Sequence, residues 1–169
     1  GTNSYVGIGT TSPVQKLHLH GGSSHSYLHF SNTDTGTTDS DGVDIGINTS
    51  EEAIIWQREN NIIKLGTNGT ERMRITSSGN VGIGTTSPSN ILHTSTASNT
   101  VARFESTDSN AHVRINDTDD SLYIGTVSQK GFFGGNDTTH ANNINIDLTN
   151  GNVGIGTTSP DAKLHVFNP

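Results

Sequence analysis

The sequence predicts an all-β fold that is elongated, repetitive and fibrous: an intertwined homotrimer rather than a lone globule. Three observations carry this expectation. A fifteen-residue unit recurs at 5–19, 80–94 and 152–166. Ile and Val outnumber Leu by 24 to 8, which favours strands over helices. Hydrophobic residues make up only 28% of the 169, so a private core would be lean, and association with identical chains would bury more apolar surface per residue. Sheet edges must be paired or covered, and winding three chains around a common axis does this.

The recurring unit has a physical reading. Its copies are Val6-Gly7-Ile8-Gly9-Thr10-Thr11-Ser12-Pro13, Val81-Gly82-Ile83-Gly84-Thr85-Thr86-Ser87-Pro88 and Val153-Gly154-Ile155-Gly156-Thr157-Thr158-Ser159-Pro160. Successive strand residues point to opposite faces, so one face is β-branched and the other has no side chain. A bare glycine face lets another backbone or side chain come close. The Thr-Thr-Ser-Pro run then stops the strand, because proline fixes φ and lacks a donor. A second short strand follows each time, at Leu17-His18-Leu19, Leu92-His93-Thr94 and Leu164-His165-Val166. The Gly-Ile-Gly core is not a dinucleotide loop, which needs a third glycine opening a helix.

Taken in order, residues 1–26 read as the end of an earlier repeat with the motif at 5–19. The start at Gly1, without methionine, suggests a fragment or a processed product. Residues 27–98 form a repeat with a strand-rich insert and the motif at 80–94. Tyr27–Phe30 and Val43–Ile47 read as strands around a polar loop, 31–41. Ala53–Arg58 and Ile62–Leu65 read as a hairpin around Glu59-Asn60-Asn61. Asn68-Gly69 is a strong turn dipeptide, and Glu71–Ile75 alternates. Residues 99–169 repeat the order. Val101–Phe104 matches Tyr27–Phe30, His112–Ile115 and Leu122–Ile124 flank an acidic turn, Gly131–Gly135 is a short apolar run, and Ile144–Leu148 alternates before the motif at 152–166. The motif valines Val6, Val81 and Val153 set a long repeat of 75 and then 72 residues.

Composition removes several functions. There is no cysteine, so disulfides and thiolate metal sites are excluded. No apolar run approaches the roughly 20 residues that cross a bilayer, and no membrane insertion is expected. The net charge is −7 with only 9 scattered Lys and Arg, which leaves no basic face for nucleic acid.

The run Asn68–Ile75, followed by Ser78–Pro88, resembles one found in tailed-phage tail fibre and tailspike proteins. There it lies upstream of an endosialidase-type intramolecular chaperone domain. Tyr27–Gly46 is similar to the family's inter-motif insert, and the resemblance runs from Tyr5 to Val166. It implies a homotrimeric β-rich fibre on the virion that takes part in host attachment. The chain is then its own partner, with a host surface glycan or protein receptor as a further one. The family pattern departs in two places. No chaperone follows Pro169, so it has been cut off or lies beyond the fragment. The second insert carries Asn145–Leu148 in place of Glu-Arg-Met-Arg. Similar repeats occur in bacterial surface proteins, so an extracellular filament or adhesin on a cell surface is the alternative.

Candidate sites are few, and no cofactor or catalytic residue is expected. His18 and His20, with His25 and His29 nearby, are the best metal candidates, because a trimer would bring three copies of each to the axis. The competing reading makes His18, His93 and His165 the exposed half of each strand. Asp39-x-Asp41-Gly42 and Asp117-x-Asp119-Asp120 have a calcium-loop flavour but lack its spacing and closing glutamate; they read as solvated turns. Glu51, Glu52, Glu59 and Asp44 are the carboxylates a polysaccharide-cleaving tailspike would use, on fold analogy alone. The single tryptophan, Trp56, reads as core or inter-chain packing. Loops 31–41 and 129–141 are where receptor binding would sit. Four N-x-S/T triplets start at Asn48, Asn68, Asn116 and Asn136 and are expected by chance in this composition.

Overall fold

The computed structural model describes residues 5–167. Of the segment 1–26, read as the end of an earlier repeat, residues 1–4 lie outside them. Among the described residues the secondary structure is fifteen strands and no helix, so the all-β expectation holds. The chain divides into two compact units at Val101/Ala102.

The first unit holds three sheets. β1 (Val6–Ile8) and β2 (Leu17–Leu19) form a parallel pair. β3 (Ser26–Phe30), β4 (Val43–Ile47) and β5 (Ala53–Gln57) form an antiparallel meander. β6 (Ile63–Thr67), β7 (Thr70–Ile75), β8 (Val81–Ile83) and β9 (Leu92–Thr94) form a four-stranded sheet that ends in a parallel pair. The second unit is a single six-stranded sheet: β10 (Asn110–Asn116), β11 (Ser121–Val127), β12 (Lys130–Gly134), β13 (Ile144–Asp147), β14 (Asn152–Ile155) and β15 (Leu164–Val166). Every strand pairs only with its neighbours in sequence.

Two expectations are corrected. Ala53–Arg58 and Ile62–Leu65 do form strands, but not a hairpin: β5 pairs with β4, whereas β6 pairs with β7 in another sheet. The two-residue Asn68-Gly69 loop, with φ of 52° and 68°, is the tight turn whose twist suits a hairpin, and it claims β6 for β7. Val101–Phe104 is not a strand. It lies where the first unit gives way to the second and pairs with no neighbour, leaving Val101 and Phe104 exposed.

The registers sort each sheet into two unlike faces. In β3–β5, Leu28, Phe30, Val43, Ile45, Ile47, Ala53 and Ile55 share one face, while Tyr27, His29, Asp44 and Trp56 share the other. In β6–β9, Ile63, Leu65, Met73, Ile75, Val81, Ile83 and Leu92 stand opposite a face of Lys64, Arg74, Gly82 and His93. In the second unit, Val113, Ile115, Leu122, Ile124, Phe133, Ile144, Ile146, Val153, Ile155, Leu164 and Val166 line one face. Within each unit, among the described residues, no second layer covers these faces: Phe30, Ile45, Ile55, Leu65, Ile83, Ile115, Ile124 and Phe133 are all exposed.

The only buried large apolar side chain among the described residues is Phe132, at 3% exposure. It sits on the glycine-bearing side, opposite Asn145. The other buried side chains are polar: Asp44, Asn143 and Asn145. Asn145 Nδ2 donates to the carbonyls of His140 at 2.7 Å and Thr157 at 3.0 Å, and Lys130 Nζ donates to Thr158 O at 2.7 Å. The bonds to Thr157 and Thr158 tie the third Thr-Thr-Ser-Pro loop to β13 and β12.

Candidate functional site

The motif builds the same small device three times. Its two strands run parallel, Val81 beside Leu92 and Gly82 beside His93, with matching registers at β1–β2 and β14–β15. Residues 84–91 join them, a shorter link than the dozen or so residues parallel strands usually need. The glycines make this possible. A Cβ on Gly7, Gly82 or Gly154 would stand under 3.0 Å from the carbonyl oxygen of Thr10, Thr85 or Thr157, so the loop folds onto the bare face. Gly9, Gly84 and Gly156 have φ of 79°, 70° and 81°, the left-handed region that favours glycine. The first threonine of each loop accepts a hydrogen bond through Oγ1 from the serine two residues on, a hydroxyl-closed turn. Asn80 and Asn152 add a side-chain bond to the carbonyls of Pro88 and Pro160. The position before Val6 is Tyr5, whose side chain carries a phenol in place of the asparagine carboxamide.

The motif histidines serve this loop. His18 and His93 accept at Nδ1 from the backbone N–H of Val14 and Ser89, at 3.4 and 3.3 Å, whereas His165 Nδ1 lies 2.9 Å from the Asp161 carboxylate and donates to it. His18 and His20 lie with ring centroids 6.1 Å apart, edge to face. Among the described residues no group of three or more His, Cys, Asp or Glu is placed to hold a metal within one chain.

The other candidates fall to local roles. Asp41 Oδ2 accepts from Thr38 N at 2.7 Å and Thr38 Oγ1 at 2.9 Å; the Thr38 backbone bond foremost holds its carboxyl below the ordinary value. Asp117 Oδ1 accepts from the N–H of Asp119 and Asp120, both at 2.9 Å, and is lowered for the same reason. The four carboxylates considered for catalysis are not gathered. Glu59 Oε1 accepts from Gly42 N at one end of β4, whereas Glu51 and Glu52 lie in the turn at the other end. Trp56 is not a core residue: it is half exposed, with the Arg58 guanidinium 5.5 Å from its ring. Loop 129–141 is shorter than expected, because Lys130–Gly134 is strand β12 and Ser128-Gln129, both with positive φ, is a tight turn. Of the four triplet asparagines, Asn68 forms the β6–β7 turn, Asn48 bonds Glu52, and Asn136 bonds Asn143.

One cluster escaped the sequence reading. Asp44, 4% exposed, lies between His29 on β3 and Trp56 on β5. His29 Nδ1 donates to its Oδ1 at 2.7 Å; Arg58 Nε and Nη2 donate to its Oδ2 at 2.9 and 2.7 Å. Burial pushes the Asp44 carboxyl up, but the bonds from His29 and Arg58 outweigh it and hold the group below the ordinary range. The signal was a lone acid in the alternation Val43-Asp44-Ile45, which reads equally as the solvated half of a strand.

No family model matches the chain, and no curated protein matches it either.

Proposed function

We propose that the chain is a shaft segment of a homotrimeric tail fibre of the kind tailed phages carry on the virion, and that it supports host attachment mechanically. The observation that carries the reading is the apolar face left bare on each sheet. A folded monomer of 17.8 kDa should expose about 8,000 Å². This chain exposes 12,400 Å². The excess is several times the roughly 800 Å² that each partner gives to a standard interface. Identical faces on identical chains meet that need, because sheets pack face to face at about 10 Å through interdigitating apolar side chains. The count of three and the virion rest on the resemblance of 68–75 and 78–88 to the fibre family.

The mechanism is positional. Repeats joined end to end set a distal tip away from its base, and three chains multiply weak host contacts through effective concentration. Sedimentation equilibrium of the whole chain tests the reading. The expected mass is three times 17.8 kDa, constant on dilution. A cooperative, folded single chain across the same range overturns it.

A further inference from the structure

We propose that Asn68 is a self-modification site, an asparagine that converts to aspartate and isoaspartate within its own turn. The inference stands on one hairpin of one chain and does not rest on the fibre reading. The reaction needs no partner but water. The Gly69 backbone nitrogen attacks Asn68 Cγ. An N–Cγ bond forms, the Cγ–Nδ2 bond breaks, and ammonia leaves with the proton of the Gly69 amide. Water then opens the cyclic imide. Attack at Cγ gives aspartate, and attack at the main-chain carbonyl gives isoaspartate, with the main chain rerouted through Cβ and Cγ. Nothing is oxidised or reduced.

The sequence places glycine directly after Asn or Asp three times: Asp41-Gly42, Asn68-Gly69 and Asn150-Gly151. Glycine matters because no side chain shields its nitrogen or restricts its backbone. The structure separates the three. At Asn150 both reacting groups are held. Its Nδ2 donates to Asp147 Oδ2 at 3.2 Å, its carbonyl accepts from Lys163 Nζ at 2.7 Å, and the Gly151 N–H donates to Asp147 O at 2.7 Å. Asp41 is held likewise. Its carboxylate accepts from Thr38 N and Oγ1, and the Gly42 N–H donates to Glu59 Oε1 at 3.0 Å. Asn68 is the exception. It is exposed at the tip of β6–β7, and among the described residues neither its carboxamide nor the Gly69 N–H makes a hydrogen bond. Only its backbone carbonyl is engaged, by Thr70 Oγ1 at 3.4 Å. A carbon added at Gly69 would meet nothing within 4 Å, so the attacking nitrogen is open on that side. The site also bears on the sheet. Turn geometry fixes hairpin register, and isoaspartate puts an extra methylene into the main chain of this two-residue turn.

The whole chain is incubated in mildly alkaline buffer, folded in one arm and unfolded in guanidinium chloride in the other. Peptide mass reads the change from amide to acid at each asparagine, and an isoaspartyl methyltransferase reads the rerouted product. In denaturant Asn68 and Asn150 are expected to convert at matching rates, because each is then only an asparagine before a glycine. In the folded chain Asn68 is expected to convert at least tenfold faster than Asn150, with isoaspartate among its products. Gly69→Ala, compared in both arms, is expected to slow Asn68 at least tenfold. No conversion at Asn68 in the folded chain, Asn150 converting as fast as Asn68 there, or an unchanged rate in Gly69→Ala overturns the proposal.

Discussion

His93 stands beside Gly82 across the parallel pair β8–β9, and its ring accepts the backbone N–H of Ser89, the residue that follows the motif proline. The same relationship joins His18 to Gly7, and His165 stands likewise beside Gly154 but ties the loop by donating to the Asp161 carboxylate at 2.9 Å. The histidine therefore closes the loop from the side on which glycine leaves room. His93→Leu removes the acceptor and keeps the bulk. At 3.3 Å on an exposed edge this bond is weak, so the expected loss is about 0.5–1 kcal/mol by chemical denaturation. His93→Asn, which restores an acceptor near the same place, should recover part of it.

The loop geometry makes a sharper forecast at the second motif glycine. Gly84 has φ of 70°, and a Cβ there would meet the Ser95 carbonyl, which lies close because Ser95 N–H bonds Ile83 O at 2.9 Å. Left-handed backbone costs a non-glycine residue roughly 1–2 kcal/mol before any clash. Gly84→Ala should therefore destabilise by at least that much, and more than Gly69→Ala, where φ is also positive but nothing lies within 4 Å of the added carbon. Equal losses in the two variants would remove the close-approach account of the motif.

Acid should unfold the protein through its paired carboxylates. Burial raises Asp44, but His29 and Arg58 outweigh it; Arg74 lowers Glu71; the backbone N–H groups of Asp120 and Thr149 lower Asp117 and Asp147. Each folded-state value lies below the unfolded one, so the unfolded chain takes up protons first as pH falls. The stabilisation is complete above the ordinary values of 3.8 for Asp and 4.5 for Glu, and it is lost on descending through them. The melting temperature is expected to hold between about pH 7 and 5 and to fall steeply below about 4.5. Asp44→Asn should start lower and fall less steeply.

The strands were legible because alternation is local. Val43–Ile47 and Ile144–Asp147 declare themselves within five residues, and the Asn68-Gly69 hairpin within two. Partner choice was not. Ala53–Gln57 and Ile63–Thr67 are both strand-like and close in sequence, yet the two-residue turn at 68–69 claims the second for β7, while the links 48–52 and 58–62 on either side of the first are equally long. The parallel sense of Val81–Ile83 against Leu92–Thr94 was likewise hidden, since it depends on how an eight-residue loop folds over Gly82. Asp44 was the least legible. Its burial comes from His29 and Arg58, fifteen and fourteen residues away, brought together only by the three-stranded register. Val101–Phe104 has the pattern of a strand but lacks a partner, and pattern alone does not supply one.

The bare faces allow one substitution to separate a lone chain from an associating one. Ile45 sits at the centre of the apolar face of β3–β5, between Leu28 and Ile55, and is 43% exposed in the single chain. A surface substitution in a monomer usually shifts stability by no more than about 0.5 kcal/mol. If Ile45 instead faces a copy of itself, Ile45→Lys buries an unpaired ammonium in an apolar interface, at a cost of several kcal/mol repeated in every chain. The variant is therefore expected to sediment as a single chain or to fail to fold, while Ser78→Lys, in an exposed turn, keeps the parent's mass and melting temperature. An Ile45→Lys protein that matches the parent in both would show that this face meets only water.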